Sequence, residues 1–153
     1  MISYLKQACI ALLVMSCNQA LAIVKLPAIF GDNMILQRDM KVPVWGWADA
    51  GEKVEIQFMG KTYTTRGNHA GKFELKLGSY KAGGPCRMVI TGRSNTLTYN
   101  NIWIGDVWGV SGQSNMELGI QQTDNAAASI AGATDSLIHF FYRADGSVAA
   151  ASI

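Results

Sequence analysis

Between Val42 and Tyr99 apolar and polar residues alternate in short runs. The runs are Val42-Val44 with Trp45 and Trp47, Val54-Ile56-Phe58, Tyr63 among threonines, Phe73-Leu75-Leu77, Met88-Ile90 and Leu97-Tyr99. A period of two puts the apolar set of each run on one face, so each predicts a half-buried β-strand. The stretches between them are Ala50-Gly51-Glu52, Met59-Gly60-Lys61, Asn68-His69-Ala70-Gly71, Gly83-Gly84-Pro85 and Gly92-Arg93-Ser94-Asn95, all rich in turn formers. Strand signals roughly 8 to 12 residues apart predict an antiparallel β-sandwich over residues 23–101. Trp45 and Trp47 share a face in this reading and are expected to pack in the core or between domains.

After Trp103 the pattern changes. Val107-Trp108-Gly109-Val110 is an apolar run with no polar face, which predicts a strand buried on both sides, as in a parallel sheet. An alanine-rich segment from about Asn125 to Ala133 predicts a helix, and a second apolar run follows at Leu137-Ile138-His139-Phe140-Phe141-Tyr142. Strand, helix and strand in that order predict one β-α-β unit opening an α/β domain over residues 102–153. Two parallel strands do not cover their own faces, so this second part is expected to be the truncated start of a larger sheet. The fold class is therefore mixed β and α/β.

The first 22 residues stand apart. Lys6 precedes the apolar stretch Ala8 to Met15, and Ala20-Leu21-Ala22 closes it with small residues, the layout of a secretory signal peptide. The stretch is shorter than the roughly 20 residues a transmembrane helix needs. Cleavage after Ala22, leaving Ile23 first, is the preferred reading; Val14-Met15-Ser16-Cys17 also resembles a lipoprotein site that would leave a lipid anchor on Cys17. Both imply export, whether to the periplasm, the medium or an outer membrane. Removing the leader leaves Cys86 as the one remaining cysteine, so no internal disulfide is expected and a buried, inert thiol is.

Composition adds less. Of the 153 residues 49% are hydrophobic and 16% charged, which suits a globular core. The formal net charge of +2 has no Lys/Arg cluster behind it, so no nucleic-acid partner is expected.

The stretch with chemical promise is Ser111-Gly112-Gln113-Ser114-Asn115-Met116-Glu117, directly after the apolar run. A serine on a turn at the carboxyl end of a strand can present its Oγ outward beside backbone N–H groups, as a nucleophilic esterase requires. Met116 stands where the Gly-x-Ser-x-Gly elbow has its second glycine, so this is a different block. The plainer alternative is a capping box, because Ser114 to Glu117 also fits Ser-x-x-Glu. Asp106, just before the apolar run, is read as a strand-start aspartate that caps backbone groups or faces the sandwich, in preference to a metal ligand or an acid. No metal-ligand spacing and no phosphate-binding glycine loop occur, so no metal and no cofactor are expected.

Gly112-Gln113-Ser114-Asn115-Met116-Glu117 resembles the first sequence block of the SGNH hydrolases, in the form typical of the sialate O-acetylesterase-like family. Ile29-Phe30-Gly31-Asp32-Asn33-Met34-Ile35-Leu36-Gln37-Arg38, Val42-Pro43-Val44-Trp45-Gly46-Trp47-Ala48 and Ile104-Gly105-Asp106-Val107-Trp108 look like that family's amino-terminal part, in the family's order. The resemblance runs from about Leu26 to the end of the chain. It implies a sandwich followed by the start of a flavodoxin-like SGNH hydrolase domain. It also implies a serine carbohydrate esterase that releases acetate from O-acetylated sialic acid or another acetylated glycan. In that implied role Ser114 is the nucleophile and, through its backbone N–H, an oxyanion donor; Gln113 is a candidate oxyanion or substrate contact. The family's catalytic histidine follows an aspartate by three residues. His69 has Arg66 at that offset and His139 has Ser136, and the family's intermediate glycine and asparagine blocks are missing too. The chain is therefore expected to be a truncated, inactive fragment of such an enzyme. The alternatives are a non-catalytic carbohydrate-binding or structural β-sandwich module, or an acetylxylan-type esterase.

Overall fold

The structure, a computed structural model, describes residues 23–114, 118–144 and 147–151. The expected leader, with Cys17, lies outside the described residues.

The alternating runs form strands where their periodicity places them. They are β2 (Lys41–Trp47), β3 (Lys53–Phe58), β4 (Lys61–Arg66), β5 (Lys72–Ser79), β6 (Gly83–Thr91) and β7 (Thr96–Gly105), with a short β1 (Ile35–Gln37) ahead of them. One sheet has the order β1-β7-β6-β3-β4, and β2 pairs with β5 in a separate two-stranded ribbon. Every pairing among these is antiparallel except β1 with β7, which is parallel.

Burial follows the alternation. Val44, Phe73 and Leu77 from the ribbon meet Val54, Ile56, Phe58, Met88, Ile90 and Ile102 from the larger sheet in one buried cluster that also takes in Val24. Each such side chain contributes about 1.5 to 3 kcal/mol by leaving water, which makes this cluster the main source of stability.

The two layers are also stitched along both sides. On one side Thr65 Oγ1 donates to the Glu74 carbonyl and the Gly78 N–H donates to the Tyr63 hydroxyl, joining β4 to β5. The Tyr63 hydroxyl also shares a hydrogen bond of 2.8 Å with Tyr80, whose own hydroxyl is pushed up to about 12 by burial first and by Tyr63 second. On the other side the Asn95 side chain brackets Val24, accepting from its N–H and donating to its carbonyl, while Lys25 forms a bridge with Trp47. Gly46 permits that bridge, since a Cβ there would stand 2.2 Å from the Lys25 carbonyl oxygen.

Several expectations need correction. Trp45 and Trp47 share a face, as expected, but it is the outward one, which overturns the core alternative alone; Val42, Val44 and Gly46 are the residues of β2 that point inward. Gly83-Gly84-Pro85 is no turn; it begins β6, and the bare Gly84 lets the Trp103 ring lie within 2.8 Å of where a Cβ would be. β1 was not foreseen, because three residues are too few to show a period. β7 continues through Asn100-Asn101 to Gly105.

The largest correction concerns the expected β-α-β unit. Residues 107–110 form no strand, and Val107, Trp108 and Val110 are 55%, 84% and 73% exposed. An apolar run gains from a sheet only if neighbouring strands and covering layers are there to exclude water, and among the described residues none covers this one. A helix, α1 (Ala126–Gly132), does form where alanine is densest, yet it buries none of its residues. The second run becomes β8 (Phe140–Ala144), which pairs antiparallel with β9 (Ser147–Ala151) rather than parallel with residues 107–110. A partner a few residues along the chain costs less closure entropy than one more than twenty residues back.

One buried carboxylate ties the turns at one end of the core. Glu52 is 2% exposed and accepts from the Arg93 N–H at 2.8 Å and from the Asp49 N–H at 2.9 Å. Glu52→Ala should lower unfolding stability by about 2 to 4 kcal/mol, and Glu52→Gln, which keeps one acceptor, by less. Urea unfolding monitored by circular dichroism measures both, and equal stability of Glu52→Ala and the parent would contradict this role.

Candidate functional site

The segment that leads to the serine block is held by the block around β1. Leu36 lies opposite Ile104 and Gln37 opposite Gly105 in the parallel pair, and the Arg38 N–H donates to the Gly105 carbonyl at 2.9 Å. Side chains extend the hold beyond the ladder. Gln37 Oε1 accepts from the Val107 N–H at 2.8 Å, and Arg38 Nε donates to Asp106 Oδ1 at 2.8 Å. At the other end of the pair Asp32 accepts from the Asn100 N–H, and Asn101 donates to the Asn33 side chain at 2.7 Å. Asn33 takes φ 65°, a left-handed conformation that asparagine tolerates well. The motif blocks Ile29 to Arg38 and Ile104 to Trp108, some seventy residues apart in sequence, are therefore one structural unit.

Electrostatics favour the same arrangement. Asp106 is held below the ordinary carboxylate range, first by its hydrogen bond from Arg38 and then by that charge. Arg38 is raised in turn, chiefly by the hydrogen bond to Asp106. The pair continues through Asp39, 3.6 Å from Arg38, to Lys81 at 2.6 Å. An ionised, salt-bridged carboxylate is no proton donor at neutral pH, and Asp106 serves instead to hold the exit from β7.

Ser114 and Gln113 lie beyond this hold, both exposed. Asn115, Met116 and Glu117, and with them the capping-box alternative, fall outside the described residues. Neither histidine is hydrogen bonded to Ser114. His69 is exposed in the turn between β4 and β5, as expected. His139, expected inside a strand, precedes β8 and donates from Nδ1 to the Asn33 carbonyl, so it is joined to the unit around β1. Cys86 is partly buried rather than fully so, and burial pushes its thiol up, which makes it a weak nucleophile. The structure thus presents an accessible serine hydroxyl after a fixed exit point, without a general base beside it among the described residues. Asp32, Asn33, Gln37 and Arg38 were not among the residues expected to matter for the site. Their signal was the charge pairing between the end of one quoted block, Gln37-Arg38, and Asp106 in another.

Removing the cation should release Asp106. In Arg38→Gln its carboxyl should titrate at higher pH than in the parent, nearer the ordinary carboxylate value. Because the folded-state pKa is depressed, the hold is in place above the unfolded carboxyl's pKa and is lost as pH falls through the folded value. Carbon-detected NMR titration of Asp106 measures this, and identical midpoints in the two proteins would contradict the pairing.

Comparison with known proteins agrees with these motifs. No family model matches the chain. Human sialate O-acetylesterase is 26% identical over 113 residues, covering 67% of this chain and 22% of the human protein. The rat sialate O-acetylesterase is 30% identical over 112 residues, covering 65% and 21%. Among solved structures, a carbohydrate acetylesterase from Xanthomonas citri superposes with a TM-score of 0.73 at 32% identity, over 78% of this chain and 28% of that one. The chain spans about a fifth of the length of the curated relatives it matches. In sequence blocks, in relatives and in fold, the chain resembles the sialate O-acetylesterase-like carbohydrate esterases, and its coverage fits an amino-terminal portion of such a protein.

Proposed function

We propose that Ser114 is the acyl-accepting nucleophile of a carbohydrate O-acetylesterase, acting on O-acetylated sialic acid or another acetylated glycan. The observation that carries this reading is the hold of Gln37 and Arg38 on residues 105–107, which fixes the approach to an exposed Ser114. In this reading the strands from residue 23 to the end of β7 are a supporting β-sandwich, and the SGNH hydrolase domain, expected from residue 102, begins after Gly105. The esterases named above support the class of reaction.

The chemistry follows from the nucleophile. Ser114 Oγ attacks the acetyl carbonyl as a base takes its proton, and the Ser114 backbone N–H donates to the oxyanion, with Gln113 a further donor. Collapse breaks the ester bond, the sugar hydroxyl leaves with the base's proton, and water then releases acetate from the acyl-serine. No histidine in residues 1–153 stands three after an aspartate. The base therefore belongs to protein outside these residues, and residues 1–153 alone are inactive. Export completes the reading, with a mature start at Ile23 or at a lipidated Cys17.

The test joins residues 1–153 to the remainder of the Xanthomonas citri acetylesterase and compares it with residues 1–153 alone, using an aryl acetate and a serine-directed phosphonate. The joined chain should turn over and be labelled, and Ser114→Ala should remove both, with a loss of several orders of magnitude in rate. Unchanged turnover in Ser114→Ala would refute the nucleophile. Turnover by residues 1–153 alone that depends on Ser114 would refute the external base.

A further inference from the structure

We infer that the outer face of the β2–β5 ribbon is a stacking platform for a carboxylated glycan, a site that does not depend on Ser114. Trp45 and Trp47 stand two residues apart on this face, 40% and 45% exposed. Residues so spaced on a strand are about 7 Å apart. The two indoles give this face of the ribbon exposed apolar surface on the scale of a sugar ring.

The platform is held in place. Phe30, itself buried, meets the Trp45 ring edge-on, with centroids 4.9 Å apart and planes at 75°. Trp47 exchanges both backbone hydrogen bonds with Lys25, at 3.0 and 2.8 Å, across the close approach that Gly46 permits. The Trp45 ring is packed, and the Trp47 backbone held, before a ligand arrives, so less freedom is lost when it binds.

Charge selects the ligand. Residues directly opposite in an antiparallel pair share a face, so Lys25 and Lys72 flank Trp47 on its two sides, Glu74 lies beside Trp45 and Lys76 beside Pro43. Three lysines against one glutamate make the face positive. Among the described residues none of Lys25, Lys72 and Lys76 forms an ion pair. A pyranose ring offers a face of C–H groups that suits an indole, and a sugar carboxylate at its rim would reach the lysines. An acidic peptide could meet the lysines but has no flat ring for the indoles.

Titration calorimetry on residues 1–153 with α2,8-linked oligosialic acid tests the proposal, with xylohexaose and polyglutamate as controls. Oligosialic acid should bind. Trp45→Ala and Trp47→Ala should each weaken it about tenfold or more, while Trp47→Tyr should retain most of the affinity. Raised salt should weaken it too. The double variant Lys25→Glu with Lys72→Glu, which leaves Phe30 and its partner untouched, gives an independent reading and should abolish binding. The proposal is overturned if oligosialic acid does not bind, if the folded Trp or Lys variants bind as the parent does, or if xylohexaose or polyglutamate binds as tightly.

Discussion

The parallel pairing of β1 with the end of β7 sets where the chain leaves its β core and in which direction it goes. Three ladder positions are a small contact, and its strength comes from what surrounds it. Leu36 and Ile104 are buried beneath it, the Arg38 N–H extends it by one bond, and Gln37 and Arg38 carry it past the last strand residue to Val107. His139 is joined to the same unit through the Asn33 carbonyl, at the end of the pair opposite the exit toward Val107. Under the proposed function this pairing would set the direction in which the chain approaches the serine block.

Stability is divided unevenly between the parts that this pairing joins. Up to Ile104 the apolar side chains face one another across two layers stitched along both sides, and burial supplies their stability. Beyond it Leu118, Ile120, Ile130, Leu137, Ile138, Phe140 and Phe141 are all exposed. Isolated exposed apolar residues are ordinary, but a succession of them along one segment marks a surface on which water is retained at a cost. The β core therefore stands on its own packing, while the hold around β1 ends at Val107 and residues 108–114 beyond it are exposed.

Much of the β core was legible in the sequence because alternation states which residues point inward, and six strands lie where it places them. It erred where a local pattern had two physical meanings. Gly83-Gly84 serves a close approach by Trp103 rather than a turn, and the alternation that pairs Trp45 with Trp47 leaves open which face is the core. It erred more seriously at Val107 to Val110, because an apolar run shows that burial would be favourable without showing that anything is there to provide it. The serine block was singled out by the type and order of its residues. The residues that hold its approach were not, since a hydrogen bond between Arg38 and Asp106 depends on a parallel register between segments nearly seventy residues apart, and no local period records that.

Gln37 and Arg38 hold residues 105–107 on the way to the serine block, and the Val107 amide reports on that hold directly. By hydrogen exchange followed by NMR, Val107 in residues 1–153 should exchange about five- to tenfold more slowly than Trp108 and Gly109, once intrinsic rates are divided out. In Gln37→Ala it should exchange at the rate of those neighbours while Ile56 and Ile90 in the core stay protected. A Val107 amide as fast as its neighbours in the parent, or one still slow in Gln37→Ala, would contradict the account.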